Sequence, residues 1–470
     1  MLFPTLNFGI FFLVTFIVSW LLASRMNLRL AFLIAASYVF YAMWDWRFCA
    51  LLFLSSAGNW GFGHAIFLSN SQKIRHWLVA TAVTVNLLVL GFFKYCNFFI
   101  GSLNDLMHTF GATHDVQFID MVLPIGISFF TFHGISYVID IYRKTLSKPA
   151  TLPQMLLYIS FFPQLVAGPI VRASHFLPQL LAPVKPDDIK ATRAFLLILG
   201  GLFKKVVIAN YLSTDLVDDA FFDPSNYNPI DLLLASYGYA IQIYCDFSAY
   251  TDIAIGVAAL LGYQFPQNFN QPYRSIGLRD FWQRWHISLS SWLRDYLYIP
   301  MGGNTGDWRH YRNLFMTMLL GGLWHGAAWN FVIWGALHGL MLVIEHKIAP
   351  DKSVLQKMPV WARVLSVVVT FHLVCITWIF FRSPDLAHAV GFFSSFGNSL
   401  QAPMVATPFM LLLITLGLAM QFLPQDRLAI AERWTLRFPM ALQGGLVGAL
   451  IVVINNLGPS GVAPFIYFQF

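Results

Sequence analysis

Apolar and polar positions along this chain fall into long blocks. Apolar runs cover about residues 6–23, 30–44, 51–69, 77–99, 121–142, 153–171, 193–211, 230–262, 313–346, 361–381, 404–423 and 439–457. Runs near 20 residues match the hydrocarbon thickness of a bilayer. The lack of period-2 alternation selects helices over barrel strands. The pattern predicts an all-α polytopic membrane protein with roughly 10–13 membrane helices, some broken or re-entrant. Phe162–Arg172 carries Pro163, Gly168 and Pro169, so a break is expected there. The longest polar stretch, 264–312, is too aromatic for a linker and reads as helices packed within or against the membrane body. With no repeat and no soluble-sized loop, one domain over 1–470 is expected, with its catalytic core near 242–339.

The early loops give orientation. Arg25 and Arg29 follow the first run, Lys73 and Arg75 the third, and Arg143, Lys144 and Lys148 the fifth. Between them lie a loop with only Arg47 and the segment 100–120, which has Asp105, Asp115 and Asp120 but no Lys or Arg. This alternation places the N-terminus outside and 143–150 in the cytoplasm. No basic residue precedes Arg25, so residues 6–23 read as a retained span.

Composition sharpens this picture. The chain is 57% hydrophobic and 11% charged, against roughly 25% charged in soluble domains. Mean hydropathy is +0.63. The net charge of +7 forms no basic stripe, which argues against nucleic acid. Cys49, Cys96, Cys245 and Cys375 show no paired spacing. No H-E-x-x-H, Walker loop, GxGxxG or G-x-S-x-G is present, and no metal ligand set is expected.

Candidate chemistry sits where ionisable residues interrupt apolar sequence, an expensive placement. His325 lies in Gly321-Gly-Leu-Trp-His-Gly326. The glycines admit close approach, Trp329 would share its helix face, and burial favours a neutral ring able to accept a proton. The alternative is a histidine that only bonds a neighbouring helix. His286 ends Phe281-Trp-Gln-Arg-Trp-His286, with Asp280/Arg284 and His286/Ser290 at i, i+4. It reads either as part of an interfacial aromatic helix or as a second polar group aimed at the His325 pocket. Gln242, Asp246 and Tyr250 share a face, and Asp246 wants a partner such as Arg284 or Arg294. Lys204 and Lys205 would snorkel to the interface or meet an anion such as phosphate. His338 and His346 are too dispersed to join a metal set.

At these residues the chain resembles the bacterial branch of the membrane-bound O-acyltransferase family. The resemblance rests on PQLVAGPIVR (163–172), GLFKK (201–205), QIYCDFSAYTDIAIG (242–256), NFNQPYRS (268–275), FWQRWHISLSSWLRDYLYIPMGG (281–303) and GGLWHGAAWNFVIWGALHG (321–339). It implies a ring of tilted helices around a thinned centre with a funnel or tunnel. It implies His325 as the catalytic histidine and His286 as the second signature position, with Trp324, Asn330, Asp246 and Arg284 in support. His325 would act as general base on an acceptor hydroxyl, and His286 would polarise the thioester carbonyl or orient the acceptor. The donor would be cytoplasmic acetyl-CoA, with no tightly bound cofactor; Lys204, Lys205 and Arg294 are candidates for its phosphates.

The resemblance also implies a bacterial inner membrane, a periplasmic or membrane-anchored serine-esterase (SGNH) type transferase as partner, a polysaccharide synthesis and export complex, and contact with lipid. Alginate is the leading polymer, with cellulose and peptidoglycan as alternatives. The segment Phe465-Ile-Tyr-Phe-Gln-Phe470 reads as an aromatic interface anchor. It is also similar to the tail of the small membrane peptide serving D-alanylating family members, which would make Tyr467 a covalent acyl relay. A phenol of pKa about 10 would need a base such as His325. A polymer or lipid-carrier transporter, or a scaffold of an export complex, is the competing reading, though no repeat between halves supports transport.

Overall fold

The computed structural model describes residues 3–304, 306–349, 358–400, 402–459 and 465–466. Among these, regular structure is helical throughout. Contacts divide the chain into two units, Met1–Ile189 with Ala258–Phe265, and Lys190–Val257 with Pro266–Phe470.

The first unit contains α1 (Leu6–Leu21), α2 (Met26–Asp45), α3 (Cys49–Leu68), α4 (Gln72–Thr109), α5 (Ile127–Tyr142), α6 (Leu152–Ser160) and α7 (Ala173–Leu181). The expected break at 162–172 is present: four helical residues, Phe162–Leu165, are followed by extended chain up to α7. Arg29 is buried in this unit. Its guanidinium donates to Ser19 Oγ at 3.0 Å, Tyr263 Oη at 3.3 Å and the Leu261 carbonyl at 2.5 Å. A cation at such depth persists because each N–H has an acceptor.

The second unit contains α8 (Ala191–Phe203), most of α9 (Pro229–Leu260), α10 (Leu278–Arg284), α11 (Ile287–Leu293), α12 (Trp308–His325), α13 (Trp329–Ile348), α14 (Val360–Arg382), α15 (Leu386–Ser394), α16 (Pro408–Ala419), α17 (Arg427–Thr435) and α18 (Met440–Leu457). α8 continues into a π-helical turn, Lys204–Ala209, and α11 into another, Arg294–Tyr298. Such turns re-aim side chains and concentrate at functional sites.

Among the described residues seven helices are long and apolar enough to cross a membrane, or eight if the pair Pro408–Phe422 and Arg427–Thr435, bent by 95°, forms one span. The protein is therefore an all-α, multi-pass membrane protein. The sequence pattern gives a higher count for identifiable reasons. The runs 30–44 and 51–69 join through a 3-10 turn, Trp46–Phe48, into one helical stretch, Met26–Leu68. Helix α1 is only 16 residues long, and α5 starts late, after a left-handed Gly126. The run 313–346 is two helices rather than one.

That split corrects the placement of Trp329. His325 ends α12 and Trp329 starts α13, with Trp329 54% exposed, so the two do not share a helix face. The chain turns back at Gly326 and the two helices pack antiparallel on glycine. A Cβ on Gly322 would come within 2.9 Å of the Gly335 Cα, and one on Gly339 within 3.1 Å of the Phe315 Cα. Small residues at a helix interface are how membrane helices gain van der Waals contact where the surrounding lipid is equally apolar.

Candidate active site

The second unit alone builds the site. His325 is buried, and its ring is enclosed edge-to-face by Trp324 at 5.0 Å, Trp334 at 5.1 Å and Phe381 at 5.2 Å between centroids. These are favourable aromatic geometries. Each wall has its own helix: α12 carries Trp324, α13 carries Trp334 and α14 carries Phe381. Asn330 ties two of them together. Its Nδ2 donates to the Ser383 carbonyl at 2.7 Å and the Phe380 carbonyl at 3.2 Å, anchoring the start of α13 to the end of α14.

His286 also packs against Trp324, with ring centroids 6.3 Å apart. The structure thus brings both signature histidines onto one indole. His286 is fully buried, with Phe247 of α9 edge-on at 4.6 Å. It does not sit within a helix, as its spacing with Ser290 predicts. The chain breaks between α10 and α11, and His286 adopts a left-handed backbone, φ 43° and ψ 55°. Ser290 Oγ donates instead to the Trp285 carbonyl at 3.2 Å. A non-glycine residue at positive φ costs of order 1–3 kcal/mol and persists only where its surroundings hold it. Here Asn268 holds it: its carbonyl accepts Ile287 N–H at 2.9 Å, and its side-chain Oδ1 accepts Ser288 N–H at 3.0 Å.

Asp246 meets neither Arg284 nor Arg294. Its Oδ1 lies 2.8 Å from Lys205 Nζ, with side chains 4% and 8% exposed. Lys204 is also buried and ion-paired, 2.6 Å from Asp252 Oδ2 and 2.8 Å from Ser248 Oγ. The π-helical turn lets two consecutive lysines both face α9, so neither snorkels. Arg284 pairs with Asp280 at 2.7 Å as spaced, and its Nη1 reaches the Asn270 carbonyl at 3.3 Å, bracing the segment that carries Asn268. Arg294 is exposed and bonds Asp295 at 2.7 Å.

Near the C-terminal end, Phe465 and Ile466 are buried. Ile466 N–H donates to Asp246 Oδ2 at 2.9 Å, while the Phe465 ring lies 4.7 Å from Tyr250 and 5.9 Å from Phe247. Tyr467 lies outside the described residues.

Three contributors were not singled out from sequence. Trp334 walls His325. Asn268 sits in a loop whose only sequence signal is its place in NFNQPYRS. Glu345 accepts the N–H groups of Leu278 at 2.6 Å and Arg279 at 3.2 Å, and pairs with the Arg279 guanidinium at 3.1 Å. It thereby caps α10 from α13 with an anion at the positive end of the helix.

Residues 141–383, which contain every site residue just described except Phe465 and Ile466, match the model of MBOAT, the membrane-bound O-acyltransferase family. The chain belongs to that family. It is an O-acyltransferase by membership. It is 42% identical over 357 residues to a protein of Azotobacter vinelandii named "Probable alginate O-acetylase AlgI", covering 75% of this chain and 70% of that one. It is 35% identical over 390 residues to the peptidoglycan O-acetyltransferase of Helicobacter pylori, covering 76% and 72%. It is 30% identical over 286 residues to the teichoic acid D-alanyltransferase of Bacillus subtilis, covering 57% and 71%. The MBOAT match joins three helices that wall His325 and the loop that holds His286 into one family unit.

Proposed function

We propose that this O-acyltransferase takes acetyl from cytoplasmic acetyl-CoA and passes it across a bacterial inner membrane, N-terminus periplasmic, for O-acetylation of an exported polysaccharide. A periplasmic SGNH-type transferase would complete the modification within a synthesis and export complex. The carrying observation is the pair of buried histidines that both pack against Trp324, in a chain similar to proteins named for acetylating alginate and peptidoglycan.

Acyl transfer to a hydroxyl needs one group to take the hydroxyl proton and one to serve the thioester carbonyl and its sulfur. His325 and His286 supply two imidazoles for these tasks, and the aromatic walls exclude water that would hydrolyse the acyl group. Lys204 and Lys205 would contact CoA phosphate only by giving up Asp252 and Asp246, so the exposed Arg294 is the better placed of the three. Tyr467 would serve as a relay. In support, the residue before it is fixed to Asp246, and Phe465 packs on the Phe247 ring that abuts His286.

The test uses purified protein in nanodiscs with radiolabelled acetyl-CoA. CoA release lost in His325→Ala, with label on wild-type protein absent from Tyr467→Phe, supports transfer through the relay. Histidine-dependent release without label on the protein points to direct transfer to the partner and removes the relay. No histidine-dependent release, with partner and polymer supplied, overturns the donor reading in favour of a transporter or scaffold.

A further inference from the structure

Three tryptophans pack together beside His325, and their indole N–H groups are used differently. Trp282 of α10, Trp334 of α13 and Trp378 of α14 form one cluster, with the Trp334 ring 5.8 Å from Trp282 and 5.9 Å from Trp378 between centroids. Trp282 Nε1 donates to His338 Nδ1 at 3.4 Å. Trp378 Nε1 donates to Tyr273 Oη at 3.2 Å, and that hydroxyl gives its own hydrogen to the Ala240 carbonyl at 2.6 Å. Trp334 Nε1 is buried and has no hydrogen-bond partner among the described residues. An indole nitrogen can only donate, and a buried tryptophan usually finds an acceptor.

The rings around Trp334 leave no acceptor for that hydrogen. Phe381, at 5.3 Å, has none. His338, at 4.6 Å, takes Trp282 on Nδ1 and bonds Thr377 Oγ1 through Nε2 at 3.0 Å. Trp282 and Trp378 carry only donors. The remaining ring is His325, at 5.1 Å and edge-to-face with the indole at 85°. An acyl group that reaches His325 therefore comes up against this indole as well, and its carbonyl oxygen offers lone pairs and nothing else. Negative charge builds on that oxygen in the transition state. A donor already in place and shielded from water stabilises such charge without reorganising.

We infer that Trp334 is a further catalytic residue, whose Nε1–H donates to the acyl carbonyl oxygen while His325 takes the proton of the acceptor hydroxyl. This rests on the acyl-transfer reading above and leaves His286 to orient the acceptor. In the step, the hydroxyl O–H bond breaks and its proton passes to His325. The hydroxyl oxygen bonds to the acyl carbon, and the carbonyl π pair moves onto the oxygen that Trp334 Nε1–H holds. That pair then re-forms the carbonyl, and the carbon–sulfur bond breaks with its electrons on sulfur. The His325 imidazolium returns the proton to the thiolate. The indole moves no proton; it binds the charge.

The experiment replaces the N–H and keeps the ring, in full-length protein in nanodiscs. Trp334→3-benzothienylalanine, introduced by stop-codon suppression, exchanges N–H for sulfur at nearly the same shape. Removing a donor that has no partner in the resting protein should leave the apparent melting temperature unchanged or raise it. With acetyl-CoA, partner and polymer supplied, kcat should fall about 10²-fold or more with KM little changed, as for loss of one oxyanion donor. The same replacement at Trp378 should do the reverse: a lower melting temperature from the lost Tyr273 bond, with turnover per folded molecule within about threefold. Trp334→Phe should show the kcat loss too, with a lower melting temperature from the smaller ring. Wild-type kcat in Trp334→3-benzothienylalanine overturns the inference, as does an equal kcat loss at Trp378, which would make the effect one of packing. Wild-type protein that turns over no acetyl-CoA overturns the donor reading and takes this inference with it, an outcome distinct from an active wild type whose Trp334 variants stay active.

Discussion

Neutralising Lys205 tests whether the paired lysines hold the fold or the donor. Lys205 Nζ and Asp246 Oδ1 are 2.8 Å apart with side chains 8% and 4% exposed, so Lys205→Met strands a carboxylate in a nearly dry environment. Breaking a buried pair from one side costs about 3–5 kcal/mol, because the remaining charge keeps its desolvation penalty and loses its partner. Removing both charges releases both penalties, and such replacements are often near neutral. The single variants Lys205→Met and Asp246→Leu should therefore lower the apparent melting temperature in detergent on the order of 5–10 °C. The double variant should regain most of that, a coupling of about 2–3 kcal/mol. Asp246→Leu also removes the acceptor of Ile466 N–H, so the double variant should not recover fully. Acetyl-CoA kinetics on the double variant then separate the roles. An unchanged KM assigns Lys205 to the fold alone. A KM raised about tenfold or more would show Lys205 contacting the donor. Additive losses, with the double variant as unstable as the two singles summed, would refute the reasoning from a buried, coupled pair.

Other substitutions distinguish support from chemistry. His338→Leu should cost about 1–3 kcal/mol in stability, seen by thermal shift, through the lost Trp282 and Thr377 bonds. Turnover per folded molecule should stay within about tenfold, whereas His325→Ala should lose at least about 10²-fold. Asn330→Leu removes the donor to the Ser383 and Phe380 carbonyls and should destabilise by about 1–3 kcal/mol, with turnover falling as Trp334 and Phe381 part around His325. Glu345→Gln keeps one acceptor for the start of α10 but loses the charge opposite Arg279, and should lower stability by about 2 kcal/mol in the same assay.

Much of this architecture is legible in the sequence because apolar block length and loop charge respond directly to the membrane. The Pro163/Pro169 break, the single long α9 and the Asp280–Arg284 pair all follow from local rules. The rest depends on where distant segments meet. Asp246 pairs with Lys205 because a π-helical turn rotates both lysines toward α9, and helix spacing from Gly201 gives no warning of that turn. The run 313–346 looks like one helix because Gly326 is apolar enough not to interrupt the pattern, although it ends α12. Asn268 escapes notice because one asparagine in a polar loop is indistinguishable from solvated loop residues until Ser288 and His286 are seen around it.

Burial alone does not separate His286 from His338. Both are 0% exposed and both are packed among aromatic rings. At His338, Thr377 Oγ1 donates to the Val374 carbonyl at 2.8 Å, so it must accept from His338 Nε2–H at 3.0 Å. That leaves Nδ1 to accept from Trp282 Nε1 at 3.4 Å, and the ring's one donor and one acceptor are both used. Such a histidine joins α10, α13 and α14 and has nothing left for a substrate. At His286 the donor is used and the acceptor is not, within a loop held at positive φ by the same asparagine that uses the donor. Conformational cost and an unspent lone pair coincide at one residue there. That combination of backbone strain and an unpartnered ring nitrogen is what separates His286 from His338.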